Sequence, residues 1–200
     1  VVVADLFHPG RNGAGGLYAQ EHFEAVRDHL AAGGIFAQWI PLYQMDMETL
    51  KVVIRTFTDV FDPAQAWLGI YNVDTPAVAL IGGADQSALQ IDPERIVALV
   101  QAPVYGEVLL QEPRDLMGAF IMDREALQAF AGEGPRNTDL HPRVLLQAPQ
   151  VAYEGNRGRG WSNLSEMMRR REALAFPEGT PPHWADDAKR FSQALYAHLQ

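Results

Sequence analysis

Apolar and polar positions change period several times along the chain, and each change marks an element. The opening VVVADLF is a run of β-branched and apolar residues that ends in a turn-rich stretch, HPGRNGAGG. A buried parallel strand delivers a loop to a sheet edge in this way, so residues 1–6 are predicted to be a strand. Over residues 17–31 apolar side chains fall at 17, 18, 23, 26 and 30, roughly helical spacing, and Gly33 and Gly34 supply the stop. Residues 35–40 are a second apolar run, closed by Pro41. Strand, helix and strand in that order predict a right-handed crossover between parallel strands.

The unit then repeats. Asp46 is placed to cap a helix over 47–60, with Leu50, Val53, Ile54, Phe57 and Phe61 along one face. Residues 66–71 and 77–81 read as short strands whose connection suits an antiparallel hairpin. Residues 1–83 therefore follow the order β-α-β-α-β-β. After Ala84 the strand signal fades, and short helices are expected over 93–101, 114–120 and 124–131. Residues 132–162 are rich in turn formers and are expected to be largely irregular, with a brief strand available over 144–147. Two helices, over 164–174 and 183–198, are expected to close the chain around the breaker FPEGTPP.

Composition narrows the class. Two hundred residues, 48% of them hydrophobic, suffice for one well-buried core or for a core with a smaller helical appendage. No apolar run approaches the roughly 18 to 20 residues of a membrane-spanning helix, and the start lacks signal-peptide features, so no membrane insertion is expected. The chain has no cysteine, which excludes disulfides, thiolate zinc sites and a cysteine nucleophile and suits a cytoplasmic location. A net charge of −9 disfavours nucleic acid and anionic lipid as partners. The basic group Arg157, Arg159, Arg169, Arg170 and Arg171 is interspersed with Glu154, Glu166 and Glu172, and reads as a solvated loop and helix face.

In open α/β sheets ligands sit beyond the carboxyl ends of the parallel strands, which points first to Asp5, Leu6, Phe7, His8 and Pro9. A carboxylate in the position of Asp5 can bind a cationic amine or accept its proton; the alternative is a turn aspartate bonding nearby amides. ADLFHP, followed by GLYAQEHFEAVRDHLAAGGIFAQW, resembles the second half of a spermidine synthase domain. There an Asp-rich strand-end motif precedes Leu-Phe/Tyr, a Glu, an aromatic and a Gly-Gly strand. The resemblance is closest to bacterial spermidine synthase-like proteins, some of them fused to a membrane-embedded half. It covers about residues 1–83, and the later NTDLHP with QAP resembles the Thr-Asp-Asp-x-Pro tail of the fused proteins.

The resemblance implies an α/β fold, the C-terminal half of a Rossmann-like methyltransferase/spermidine synthase domain, with residues 84–200 as a mainly helical extension. It implies that Asp5 is the catalytic aspartate, which helps deprotonate the attacking amine so that it displaces methylthioadenosine from decarboxylated S-adenosylmethionine. That nucleoside is a co-substrate, and no tightly held cofactor is expected. His8 stands where the family usually has a second aspartate holding the diamine, and a neutral imidazole attracts a cation less, which leaves the amine acceptor open. Gln38 falls where the family has a glutamine near the amine, and Tyr43 lies in the following loop. Their alternatives are a glutamine bonding loop amides and a packing tyrosine with a wet hydroxyl.

A nucleotide is held mainly by the first strands of such folds, through a Gly-rich turn and an acid that binds the ribose. HPGRNGAGG follows a strand, but no such acid follows about 20 residues later at another strand end. On the resemblance, the chain begins at the fourth strand of the domain and the nucleotide-gripping half lies elsewhere. The first strand is then an apolar edge expected to pair across a chain interface, with that half or with a second copy in a homo-oligomer. No His and carboxylate pattern suggests a metal, and no Gly-x-Ser-x-Gly elbow suggests a serine hydrolase. Asn137, Thr138, Asp139 and His141 read as a turn that bonds its own backbone, or as part of the site's rim. An aminopropyltransferase needing its upstream half is the leading expectation, beside a methyltransferase on the same fold and a non-catalytic assembly module.

Overall fold

The computed structural model describes residues 1–5, 8–11, 13–70, 72, 74–102 and 112–199. Leu6 and Tyr71, the last residues of two expected strands, and Phe7 of the expected ligand loop lie outside the described residues. Strands β1 (Val2–Ala4), β2 (Ile35–Pro41), β3 (Ala64–Ile70), β4 (Ala77–Gly83) and β5 (Phe120–Asp123) form one mixed sheet in the order β1-β2-β4-β3-β5. Helices α1 (Gln20–Asp28) and α2 (Met47–Val60) connect β1 to β2 and β2 to β3. After β4 come α3 (Pro93–Gln101), α4 (Pro113–Met117), α5 (Arg124–Ala131), α6 (Arg143–Glu154), α7 (Arg159–Arg169) and α8 (His183–Leu199). The β-α-β-α-β-β order expected of residues 1–83 is the order found.

β1 and β2 are parallel, with Val2 beside Phe36 and Ala4 beside Gln38. β4 runs antiparallel to both β2 and β3, so β3 shares the direction of β1 and β2. The expected hairpin is thus present, folded back so that its second strand inserts beside β2. α2 starts where Asp46 predicts, because its carboxylate accepts from the Thr49 amide at 2.7 Å. Such a cap is worth about 1 kcal/mol.

Phe57 and Phe61 from the end of α2 meet Phe23 of α1 and Phe36 of β2 in a fully buried aromatic cluster. Phe57 and Phe61 have ring centroids 4.7 Å apart, and Phe23 meets Phe57 edge-on at 5.2 Å. Truncating one such ring to alanine costs about 3 to 5 kcal/mol. This cluster seats both helices on one face of the sheet, the face of Phe36, Gln38 and Ile40. Strand alternation turns Ile35, Ala37 and Trp39 to the opposite face, where they are half-buried. Val3 and Ile81 flank Ala37 there in register.

The later half corrects three expectations. The helix expected over 114–120 stops at Met117, and Phe120 opens β5, which pairs antiparallel with β3. Residues 132–162 are not mainly irregular: α6 occupies the stretch that offered a strand at 144–147, and α7 begins at Arg159. Val144, Ala148 and Val151 bury one side of α6, and the exposed Pro149 is accommodated within it. The helix expected over 164–174 ends at Arg169, and the chain continues as a strap along β5, where the Glu172 amide donates to the Ile121 carbonyl at 2.8 Å. The main core draws on both stretches, Phe36 and Leu80 packing in one cluster with Ile121, Phe130, Val144 and Leu164. Among the described residues no helix is long and apolar enough to cross a membrane.

Candidate functional site

Asp5 follows the last residue of β1 and is exposed at the carboxyl end of that strand. The stagger between β1 and β2 sets Gln38 beside Ala4, so Gln38 lies in the middle of β2 yet close in register to the end of β1. Its side chain is fully buried on the helix-covered face. Its amide donates to the Trp39 carbonyl at 3.1 Å, and its Oε1 has no partner among the described residues. A buried acceptor left unpaired is costly, of order 1 to 3 kcal/mol, so this atom is a place where a donor would be welcome.

His8 and Tyr43 meet in a cleft of about 320 Å³, whose other lining includes Arg11, Gln44, Val151 and Asn156. The volume sits at the low end of the range for small-molecule sites, roughly 300 to 1,000 Å³. Asp5 and Gln38 are not among the residues that line it. The cleft opens between the loop after β1, the short 3-10 turn Leu42–Gln44 after β2, and α6. The side-chain amide of Gln44 donates to His8 Nδ1 at 2.5 Å, which ties the loop after β1 to the turn after β2.

Two asparagines hold the walls. Asn163 of α7 is buried and donates to the carbonyls of Leu42 and Met45, both at 2.8 Å, which fixes the turn bearing Tyr43 and Gln44. Asn156 donates to the Asp74 carbonyl at 2.6 Å and accepts from the Gly160 amide at 3.0 Å. Neither follows a recognisable spacing, and Gln44 draws attention only as a polar residue shortly after a strand end. Because α6 was expected to be irregular, one whole wall of the cleft was invisible in the sequence.

Two glycines of the loop after β1, Gly10 and Gly15, serve packing. A Cβ on Gly15 would lie 2.7 Å from Leu145 Cα, and one on Gly10 would lie 3.1 Å from the Ala148 carbonyl oxygen. Glycine is therefore needed there for close approach to α6. Asn137, Thr138 and His141 form the expected self-bonded turn, with Thr138 and His141 exchanging backbone bonds at 3.1 and 3.3 Å. Asn137, fully buried, also ties the turn inward by donating to the Gly15 carbonyl at 3.1 Å and accepting from the Val144 amide at 3.0 Å. Among the described residues no three His, Cys, Asp or Glu side chains gather as metal ligands. No family model matches the chain, and no curated protein matches it.

Proposed function

We propose that this chain is the amine-binding part of a spermidine synthase-like aminopropyltransferase, the C-terminal portion of a Rossmann-like domain whose nucleotide-binding portion is supplied by other residues. The observation that supports this reading is the parallel pairing of β1 with β2, which sets Asp5 at the carboxyl end of β1 and Gln38 beside Ala4, while the segments after these two strands carry His8 and Tyr43 into one cleft. Asp5 takes a proton from the ammonium of the acceptor, whose nitrogen then bonds to the aminopropyl carbon as that carbon leaves the sulfur of decarboxylated S-adenosylmethionine. Methylthioadenosine departs with the electron pair of the carbon–sulfur bond. Tyr43 contributes an amphipathic wall, and an imidazole at His8, bonded to Gln44, does less to attract a dication than a carboxylate would.

The test is release of methylthioadenosine from decarboxylated S-adenosylmethionine and a diamine, with the chain mixed with the N-terminal half of a spermidine synthase domain. Asp5→Asn is expected to lower turnover about 100-fold or more, the usual weight of a general base. His8→Asp is expected to tighten the diamine. Turnover unchanged by Asp5→Asn sinks the assignment. A second reading, an assembly module without chemistry, is favoured by the exposed apolar edge of β1, where Val1 and Val3 are 87% and 60% exposed. Calorimetry of the same mixture separates the readings: no heat with methylthioadenosine, decarboxylated S-adenosylmethionine or S-adenosylhomocysteine selects the module, and heat with S-adenosylhomocysteine alone selects a methyltransferase.

A further inference from the structure

A second cavity, on the far side of the sheet's β5 edge, lies between the end of α4, the strap after Arg170 and α8. Its walls are mostly apolar, from Met117, Phe120, Leu174, Phe176 and Ala188. Its volume is about 210 Å³, equal to the bulk share of roughly seven waters. One cation is built into it. Arg171 is half-buried, and its Nη1 donates to the Ser192 carbonyl at 2.7 Å and to the Ser192 hydroxyl at 2.5 Å. Those bonds aim the guanidinium across the cavity from the strap to α8.

The neighbouring arginines make the contrast. Arg159 pairs with Glu154, and Arg169 and Arg170 both pair with Glu166, as expected of a solvated face. Among the described residues Arg171 has no carboxylate within 4 Å. Glu172, the next residue, also lines the cavity but makes no ion pair with Arg171, and it lies in the field of Asp123 and Glu125. Burial already disfavours the charged form of Arg171, which stays charged at any ordinary pH. Lys189 at the rim adds a second positive charge.

We propose that this cavity binds a small carboxylic acid with an apolar body of benzoate size, its carboxylate on Arg171 and its ring or branched chain against Phe120, Leu174 and Phe176. The apolar walls disfavour an inorganic anion, which gains nothing from them, and Arg171 with Lys189 outweighs the Glu172 carboxylate and so favours an acid over an amine.

The experiment is titration of the full chain with benzoate, benzamide and benzylamine, followed by calorimetry and by shifts of backbone amide resonances in the strap and α8. Benzoate is expected to saturate in the millimolar range, with benzamide about tenfold weaker for loss of the charge-assisted bond, and benzylamine silent. Arg171→Gln is expected to abolish the preference for benzoate over benzamide. Should that variant fail to fold, Ala185→Trp decides, since it fills the mouth from an exposed position of α8 and leaves Arg171 in place; it is expected to abolish benzoate binding. Equal binding of benzoate and benzamide, no saturation, or saturation untouched by Ala185→Trp overturns the proposal.

Discussion

Asn163, Asn137 and Gln38 show how single polar side chains organise this protein from inside. Each is buried, and the two asparagines satisfy backbone groups that belong to distant segments: Asn163 serves Leu42 and Met45, and Asn137 serves Gly15 and Val144. Their contribution is positional, since a buried carbonyl left without its donor bears its desolvation cost uncompensated. His22 carries a pH-dependent consequence. It packs half-buried against Phe23 and Phe36, and burial lowers its pKa below the ordinary 6.5, against the opposing pull of Asp139. The folded state therefore prefers the neutral ring. The stability this preference provides is complete above the unfolded value of 6.5 and is lost as pH falls from there toward the lower folded value. Urea midpoints measured from pH 8 to pH 5 are expected to fall more steeply for the natural chain than for His22→Gln; parallel curves would remove His22 from the account.

Close approach of the loop after β1 to α6 depends on glycine. Gly15→Ala places a Cβ 2.7 Å from the Leu145 backbone, which has no flexible end to give way, whereas a Cβ on Gly16 meets nothing within 4 Å. Gly15→Ala is expected to cost roughly 1 to 3 kcal/mol, the range for overpacking, and Gly16→Ala much less. Comparison of the two urea midpoints checks this, and equal midpoints would mean that the loop and α6 do not touch in solution. The elements in this half differ in how far they were legible. α2, α3 and α5 have the bounds expected of them, and their N-termini are fixed locally by the caps Asp46, Asp92 and Asp123, of which only Asp46 was anticipated. β5 and α6 were missed for a common reason. Four residues such as Phe120–Asp123 suit either state until β3 offers a partner, and Pro149 argues against a helix that is retained because Val144, Ala148 and Val151 reach the core.

The sheet has two unlike borders. β5 is overlaid by the strap, which bonds to it through Glu172 and Ile121, while among the described residues β1 pairs with β2 alone and presents Val1 and Val3 to solvent. Val3 also adjoins the half-buried apolar row of Ala37 and Ile81 on the face opposite α2. An exposed apolar edge of this kind is a template for another strand, and the proposed nucleotide-binding half or a second copy would complete it. Val3→Lys puts a charge on that edge at a stability cost within about 0.5 kcal/mol, as for exposed positions generally. Sedimentation is expected to show association for the natural chain and a shift toward the monomer for Val3→Lys. Monomers in both samples would leave the edge without a partner strand. Local periodicity and capping chemistry were enough to establish the alternation of strands and helices over residues 1–83 and to point to the loop after β1, because those signals act between residues a few positions apart. The insertion of β4 between β2 and β3, the capture of β5, the folding of α6 and the cleft it closes around His8 and Tyr43 were decided only in three dimensions. They rest on burial and pairing between segments far apart in the chain, and no short window of residues carries that free energy.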